Sequence, residues 1–427
     1  MTAATLPKPE ARPTRPPRTR RLLARGAEAL VFTAAVLVAL LHAFDDAFLL
    51  PGGGVPVTQH ALAFGIALVS SAVAIWAFPS QRPGVRAALA WSFGVLAVVN
   101  GGRHVHHVLS EGNPASANDV TGALALLAGV ALVGLAAWIP FRHRGQGGWV
   151  ARVVVVVAGL ASVVFVWMPI GTAIVEIHSL PRPVGSPPNA AYKTVHFTAS
   201  DGVELEGWYR PSRNGASVLM ISGGGGNRRS TLRHARLLER HGYGVLVYDP
   251  RGSGRSEGTV NSYGWGWDKD VDAAVDFLHA HESGRIGALG LSTGADMAID
   301  AAGRRSDLAA VVADGSAAIG YEDVKAYTDR APDRATMWLA FKTIEVIQGR
   351  SGPKVSLADR IAHTRTPNLL ISANKQEKQW GELYDRSGGS QSTLWYLPHA
   401  GHTAALKQYP DAYERRVTRF LDAHLLT

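Results

Sequence analysis

Long apolar runs between residues 27 and 178 constrain the fold of this chain more than any other feature of its sequence. A helix needs about 20 mostly apolar residues to cross a bilayer, and a cleavable signal peptide would explain only one such run. The runs predict an all-α transmembrane bundle of about five spans. The predicted spans cover approximately 27–50, 58–79, 86–109, 119–140 and 150–175.

Basic residues near the predicted spans indicate how the bundle is oriented. Loops 51–57 and 110–118 contain no Lys or Arg, whereas the alternate loops and the Pro-rich tail of residues 1–26 are basic. Basic loops usually face the cytoplasm. We therefore expect a multi-pass protein of the cell membrane with a cytoplasmic N-terminus. Five crossings place everything after residue 178 outside the cytoplasm.

The formal net charge of +9 does not indicate a nucleic-acid partner. Seven basic residues cluster in the tail before the first apolar run, opposed only by Glu10, and such a tail is typical of a cytoplasmic membrane flank. The partner that the sequence predicts is a lipid bilayer, and no nucleic acid. The absence of Cys excludes disulfides, cysteine nucleophiles and zinc–thiolate sites.

Ionisable residues occur near the predicted outer ends of the spans, where simple anchoring does not need them. Such groups are costly at membrane depth and often functional. Two interpretations stay open: divalent-metal ligands, or side chains hydrated at the headgroup level. We favour hydration and assign no metal, because no strict ligand motif is present. These residues are His42, Asp45, Asp46, His60, His104, His106, His107 and Asp119.

The pattern changes after a Pro-rich linker at 179–192. From 193 to 427, short β-branched runs alternate with helical patterns, which predicts a largely parallel sheet covered on both faces. The first two strands, joined by Ser200, Asp201 and Gly202, are expected to form an antiparallel hairpin at the edge. The predicted strands are 193–199, 203–210, 217–222, 243–249, 285–290, 308–314, 368–373 and 393–398.

One short motif within this region carries chemical meaning. Residues 290–294 read Gly-Leu-Ser-Thr-Gly, between a strand pattern and a helical pattern. A serine on such a sharp turn holds its hydroxyl clear of the backbone, where a base can reach it. The alternative is a chance match in a Gly-rich chain, so the surrounding sequence decides.

Residues 193–425 resemble the α/β-hydrolase superfamily, particularly its membrane-anchored esterase and serine-peptidase-like branch. Several blocks match in the family's order and end with the predicted serine motif and a histidine loop. The resemblance implies an α/β hydrolase with a mostly parallel eight-stranded sheet and a helical cap. The blocks are GWYRPS, ISGGGGNRRS, HGYGVLVYDPRGSGRSEG, GLSTGA and HAGHTA.

The resemblance also implies site residues. Ser292 corresponds to the nucleophile and His402 to its base, with His399 as a rival that precedes Gly401. The oxyanion would be held by the backbone N–H groups of Thr293 and Gly224.

The loop that contains Gly224 departs from the family in one residue, since Ser222 replaces a common histidine. A phosphate-binding interpretation of this glycine run is weaker, because the loop lacks Gly-Lys-Ser/Thr.

The acid of the triad is the least defined part. The family usually has an aspartate after the seventh strand, where this chain has Gln376 followed by Glu377. Asp314, at the end of the sixth strand, is the alternative. We favour Glu377, because a glutamate can orient an imidazole as an aspartate does. Asp249–Ser256 matches the family too, but we expect it to shape a turn, with its basic residues paired internally.

A segment of about fifty residues, 315–367, separates the sixth and seventh predicted strands. Insertions of this size usually carry function, so we expect a cap over the active site. Its apolar residues either form an acyl-binding wall or pack on the sheet. They are Met337, Trp338, Phe341, Ile344 and Ile347.

Together these patterns predict a membrane-bound serine hydrolase that cleaves ester, thioester or peptide-like acyl bonds outside the cytoplasm. The expected substrate is a small-molecule, lipid or peptide acyl compound, and no cofactor is expected. Two alternatives stay open: an acyltransferase with the same triad, and a membrane sensor whose hydrolase fold only binds.

Overall fold

The computed structural model describes residues 18–49, 57–111, 117–142, 157, 159, 161–177 and 182–426. Contacts divide the chain into two compact units. The first consists of Met1–Ala43 and Ile66–Gly159, and the second of Phe44–Gly65 and Leu160–Thr427. The domain limits expected from the sequence, at residues 26, 178 and 192, stay predictions. Most of the basic tail lies outside the described residues.

The described residues of the N-terminal part of the chain are helical except for Gln81 and Arg82. A π-helical turn, Asp45–Leu49, continues the first helix, and a 3-10 turn, Phe78–Ser80, follows the second. The helices are α1 (Arg18–Phe44), α2 (Val57–Ala77), α3 (Pro83–Glu111) and α4 (Ala117–Arg142).

Among the described residues, three helices are long and apolar enough to cross a membrane: Gly26–Phe48, Pro83–Gly102 and Asp119–Arg142. The segments Phe64–Ser80 and Val163–Ile177 are apolar but shorter. These helices suggest that the chain associates with a membrane.

Small residues bring α3 and α4 close together in the first unit. A Cβ atom added at Gly101 would lie 2.3 Å from the carbonyl oxygen of Gly122, and one at Gly129 would lie 2.7 Å from the backbone nitrogen of Val98. Such close approach is typical of helices that pack within membranes. A buried ion pair, Glu28 with Arg86, joins α1 to α3 in the same unit.

The second unit contains one eight-stranded sheet of strand order β1-β2-β4-β3-β5-β6-β7-β8. The β1–β2 and β2–β4 pairs are antiparallel and the other pairs are parallel. The edge hairpin expected from the sequence is thereby confirmed. The strands are β1 (Lys193–Thr198), β2 (Glu204–Arg210), β3 (Ser217–Ile221), β4 (Gly244–Tyr248), β5 (Ile286–Leu291), β6 (Leu308–Asp314), β7 (Asn368–Ser372) and β8 (Ser392–Tyr396).

Helices cover both faces of this sheet, so its central strands are buried along their whole length. That burial explains why these strands read as continuous apolar runs without alternation. The helices of this unit are α5 (Met168–Ile177), α6 (Leu232–Arg240), α7 (Trp267–His281), α8 (Thr293–Arg304), α9 (Tyr321–Tyr327), α10 (Ala331–Gln348), α11 (Leu357–His363), α12 (Lys375–Gly388), α13 (Ala405–Gln408) and α14 (Pro410–Leu425).

The segment predicted as a cap is helical, as expected, but it is not one continuous helix. α9 ends at Tyr327 and α10 begins at Ala331, with Pro332 in its first turn. Proline favours the first turn of a helix and disfavours the helical conformation in the residue before it. The chain therefore breaks at Thr328–Arg330 and starts a new helix.

Candidate active site

The predicted nucleophile, Ser292, lies at the turn between β5 and α8. Its φ of 54° is in the left-handed region, which is unusual for a residue with a side chain. The glycines on either side are required by space: a Cβ at Gly290 would lie 2.0 Å from the carbonyl oxygen of Gly294, and one at Gly294 would lie 2.3 Å from that of Ile221. The turn therefore raises the hydroxyl above the carboxyl ends of the parallel strands.

His402 lies in the loop after β8 and faces this serine. Its Nε2 is 2.9 Å from Ser292 Oγ, and its side chain is 52% exposed. The ring passes over Gly315, where an added Cβ would lie 3.0 Å from His402 Cε1. The rival base, His399, is exposed as well, and it is the ring nitrogen of His402 that lies beside the serine hydroxyl.

Glu377 holds the other side of the imidazole. Its Oε1 lies 2.9 Å from His402 Nδ1 and accepts a hydrogen bond from Asn374 Nδ2, while Oε2 accepts one from the backbone N–H of Ala373. Glu377 is in the first turn of α12, whose N-cap is Asn374. The partial positive charge at a helix N-terminus also favours a carboxylate.

The pKa shifts of His402 and Glu377 favour a positive imidazolium beside a negative carboxylate. The hydrogen bond to Glu377 raises the pKa of His402 above its usual value, although burial opposes this. Burial alone would raise the pKa of Glu377, but the hydrogen bonds from His402 and Ala373 outweigh it and the pKa is lowered. Glu377 is thus an anion near neutral pH and stabilises a protonated imidazole.

Asp314, the alternative acid, lies at the end of β6 and is 1% exposed. Its backbone carbonyl accepts the N–H of Ser292, so it helps to fix the serine turn. Burial raises the pKa of its carboxyl to about 7. Within the part of the chain that the structure describes, no hydrogen bond joins the Asp314 carboxyl to His402.

The glycine loop after β3 lies beside the serine. A Cβ at Gly223 would lie 3.1 Å from Ser292 Cβ, whereas one at Gly224 would lie 2.5 Å from the carbonyl oxygen of Ser262. Gly223 is therefore the closer neighbour of the Ser292 side chain, one residue before the predicted oxyanion donor. The donor roles of Gly224 and Thr293 stay predictions.

The structure adds a loop that sequence reasoning missed. The carbonyl oxygen of Ser262 accepts the hydroxyl of Thr293, the residue after the serine, and Ser262 also limits the space at Gly224. No signal in the sequence points to Ser262, because its role depends on contacts with residues distant in the chain. Asn374 was detectable, since Asn three residues before Glu is a helix-start pattern.

The Asp249–Ser256 segment forms a turn whose buried arginine is paired, as the sequence predicts. Arg251 donates to Asp270 and to Asp201. Asp249 itself pairs with the buried Arg228. These charges lie in internal ion pairs, so we assign them no role with substrate.

Some of the ionisable residues predicted at the outer ends of the spans are brought together. His42 and His104 pack edge to face with ring centroids 4.7 Å apart. His42 Nδ1 lies 3.0 Å from Thr121 Oγ1, and His104 Nδ1 lies 3.2 Å from Asp119 Oδ1. Hydration at the headgroup level, the interpretation favoured by the sequence, is wrong for His42, Asp45, His104 and Asp119, because all four are buried. The side chains of His60, His106 and His107 lie outside the described residues.

The eight-stranded sheet and the serine turn below a histidine define an α/β hydrolase. The family model of the X-Pro dipeptidyl-peptidases (S15 family) matches residues 201–420, just over half of the chain. The chain belongs to this family.

Three relatives illustrate its similarity to known proteins. It is 32% identical over 168 residues to Rv2307c, an uncharacterized protein of Mycobacterium tuberculosis, covering 38% of this chain and 59% of that protein. It is 31% identical over 134 residues to YfhR of Escherichia coli, covering 29% and 46%. The Pyrococcus furiosus esterase Pf2001 is 24% identical with a TM-score of 0.47, covering 57% of this chain and 97% of that one. The chain thus spans about half of the length of the curated relatives it matches.

Proposed function

We propose that the chain is a membrane-bound serine hydrolase that cleaves ester, thioester or peptide-like acyl bonds outside the cytoplasm. The observation that carries this proposal is the continuous hydrogen-bonded path from Ser292 Oγ through His402 to Glu377, with both distances at 2.9 Å. A serine becomes a useful nucleophile when an adjacent base takes its proton. A binding-only domain would not need this path.

In the first half-reaction, His402 Nε2 accepts the Ser292 hydroxyl proton as Oγ attacks the acyl carbonyl carbon. The imidazolium then gives that proton to the leaving group, and the acyl bond breaks to leave an ester on Ser292. In the second, His402 takes a proton from water, whose oxygen attacks this ester. The carboxylic acid leaves and Ser292 regains its proton.

Negative charge develops on the acyl oxygen in both steps. In this proposal the backbone N–H groups of Thr293 and Gly224 stabilise it. Each donor aimed at an oxyanion contributes about 3–4 kcal/mol to transition-state stability. The close packing of Gly223 on Ser292 supports the idea that this loop borders the reacting atoms.

Exposed apolar side chains support a membrane location for the N-terminal helices. Leu30, Trp76 and Leu127 each leave more than half of their surface outside the protein. Such surfaces are unfavourable in water and favourable in hydrocarbon. We propose that all five apolar segments cross the membrane, with the hydrolase domain outside the cytoplasm.

A fluorophosphonate probe tests the nucleophile directly, since it forms a covalent bond with an activated serine. We expect the full-length protein to be labelled, Ser292→Ala to lose labelling, and Ser351→Ala, which alters an exposed serine, to keep it. Equal labelling of Ser292→Ala, or no labelling of the wild type, would support the binding-only alternative.

The acyl substrate can be narrowed by a panel of chromogenic esters of graded chain length beside X-Pro amides. The family is named for X-Pro peptides, whereas the Pyrococcus furiosus relative is an esterase. Adding an alcohol distinguishes hydrolysis from acyl transfer. A new ester product that replaces the free acid would support the acyltransferase alternative.

A further inference from the structure

A loop of six residues, Val260–Trp265, connects the active site to two helices of the second unit. We call it the hub loop. On the active-site side, the carbonyl oxygen of Ser262 accepts the Thr293 hydroxyl at 2.7 Å. On the other side, the N–H of Ser262 donates to the carbonyl oxygen of Glu176, in the last turn of α5, at 2.8 Å. Ser262 therefore links the end of α5 to Thr293, the residue that follows Ser292.

The same loop contacts α10, the longest helix of the cap. The rings of Tyr263 and Phe341 meet edge to face with centroids 5.1 Å apart, and Trp265 stacks on Phe341. At the end of α10, the side chain of Gln348 hydrogen-bonds to Asn261 and to the carbonyl oxygen of Val260.

α5 and α10 also pack directly on each other. Ala173 and Ile177 of α5 share one apolar cluster with Phe341 and Ile344 of α10 and with Trp265 of the hub loop. The end of α5, the cap helix and the hub loop thus form one packed body at the edge of the active site.

The chain that leads into α5 is strongly apolar. Residues 153–175 contain no Asp, Glu, Lys or Arg, and 23 residues are enough to cross a bilayer. Phe165 and Met168, before the packed part of α5, are exposed. At 1.5 Å per residue, Met168 lies about 12 Å along α5 from Glu176. Because Glu176 is bonded to Ser262, the active site is close to the point where this apolar segment ends.

The outer face of α10 differs from the face that packs on α5. Ala335, Trp338, Lys342 and Val346 recur at helical spacing and are exposed. We call these four residues the outer stripe. Trp338 is 47% and Val346 is 60% exposed. Tryptophan is favoured at membrane–water interfaces, and lysine can extend its charge from an apolar surface into water.

We propose that the substrate is an acyl group carried by a membrane lipid, and that the outer stripe of α10 docks on the bilayer so that the lipid reaches Ser292 from the membrane. This inference rests on the proposed hydrolase function and names its substrate class. We expect the outer stripe to contact lipid, because α10 packs on the end of a segment that is apolar over 23 residues.

The test uses the full-length protein in phosphatidylcholine vesicles that contain a trace of a fluorogenic long-chain ester lipid, with p-nitrophenyl acetate as a soluble comparison. We expect Trp338→Glu and Val346→Glu to reduce hydrolysis of the vesicle lipid by about tenfold, since each removes apolar contact with the bilayer. Turnover of p-nitrophenyl acetate by Val346→Glu should stay within about twofold, because Val346 is neither in the proposed triad nor among the candidate acyl-binding residues.

Leu426→Glu is the matched control. Leu426 is also an exposed apolar residue, but it lies just beyond α14, near His424, whose carbonyl oxygen accepts from Arg285 at the start of β5. Arg285 and Ser292 lie at opposite ends of β5, so hydrolysis of both substrates should be unchanged.

Two results would overturn the lipid inference and leave the hydrolase proposal standing: Ser292-dependent cleavage of soluble esters or X-Pro amides without cleavage of the vesicle lipid, or full cleavage of that lipid by both Trp338→Glu and Val346→Glu. Equal activity of Ser292→Ala and wild type on every ester would instead overturn the hydrolase proposal. Loss of activity on both substrates in Trp338→Glu indicates a folding defect, and Val346→Glu then decides.

Discussion

Glu377 Oε1 lies 2.9 Å from His402 Nδ1, and the same carboxylate accepts hydrogen bonds from Asn374 and from the N–H of Ala373. These bonds fix the carboxylate at the start of α12 and leave it directed at the imidazole. Because His402 Nδ1 must donate to Glu377, its Nε2 faces Ser292 as the acceptor. The geometry therefore supports the proposed role of Glu377, which is to orient His402.

The first prediction separates the two candidate acids. Glu377→Gln should lower kcat by roughly 10³–10⁴-fold, because the amide no longer stabilises the imidazolium or its required tautomer. Asp314→Asn is the matched control. It should retain activity within a few fold, because burial already raises the pKa of Asp314 to about 7 and, among the described residues, its carboxyl makes no hydrogen bond to His402. Ester turnover of the full-length protein measures both, and the reverse pattern would make Asp314 the acid.

The pH profile gives a second, independent prediction. The base must be neutral, and the hydrogen bond to Glu377 raises the pKa of His402 above the ordinary 6.5. Activity should therefore fall as pH decreases through a midpoint above 6.5. Residual activity of Glu377→Gln should show this midpoint at lower pH, because the main cause of the raised pKa is removed. A midpoint that does not move would contradict the assigned pairing.

The parts of this chain that sequence could predict are those governed by local rules. Central strands of a parallel sheet are buried on both faces, so they appear as apolar runs and their limits agree with the structure to within two residues. The serine turn was detectable because only glycine fits at 290 and 294. Asn374 and Glu377 follow a helix-start pattern, so the position of the Glu377 carboxylate in the first turn of a helix could be predicted from the sequence.

Features that depend on distant contacts were not predictable. Ser262 lies next to Thr293 through tertiary packing alone, and nothing in its own surroundings marks it. The sequence favours hydration of His42 and His104, whereas the structure buries them against each other, because a sequence does not tell which face of a helix another helix covers. The sequence also does not show that Gly223, and not Gly224, lies against the Ser292 side chain, because the path of the loop decides this.

A third prediction concerns the space at the serine turn. Gly290→Ala should destabilise the protein by roughly 1–3 kcal/mol or more and abolish probe labelling, because its Cβ would lie 2.0 Å from the carbonyl oxygen of Gly294. Gly134→Ala is the control, since nothing lies within 4 Å of the added Cβ and alanine is favoured in a helix. Thermal unfolding in detergent measures both. An unchanged Tm for Gly290→Ala would show that the turn can relax.

A fourth prediction compares two arginines of the turn after β4. Arg251→Ala removes the guanidinium that pairs with the fully buried Asp270, leaving the backbone N–H of residue 251 as a donor to it, and should lower the free energy of unfolding by about 3–5 kcal/mol. Arg255, in the same turn, is 60% exposed and lies 3.8 Å from Glu206. Arg255→Ala should therefore change stability by no more than about 0.5 kcal/mol. Equal losses for the two variants, measured by chemical denaturation, would contradict this account.

The last prediction concerns the number of membrane crossings. With a cytoplasmic N-terminus, five spans and the three longest spans both place Thr427 outside the cytoplasm, since both numbers are odd. A reporter at the C-terminus alone therefore does not distinguish the two topologies. Fusions after Gln81 and after Gly145 do. With five spans both positions are cytoplasmic, in agreement with the basic residues around them. With only the spans of α1, α3 and α4, both lie outside.

A fluorescent reporter that is active only in the cytoplasm should be active at both positions. A phosphatase reporter that is active only after export should be active at Thr427 alone. Phosphatase activity at Gln81 would exclude α2 as a crossing helix.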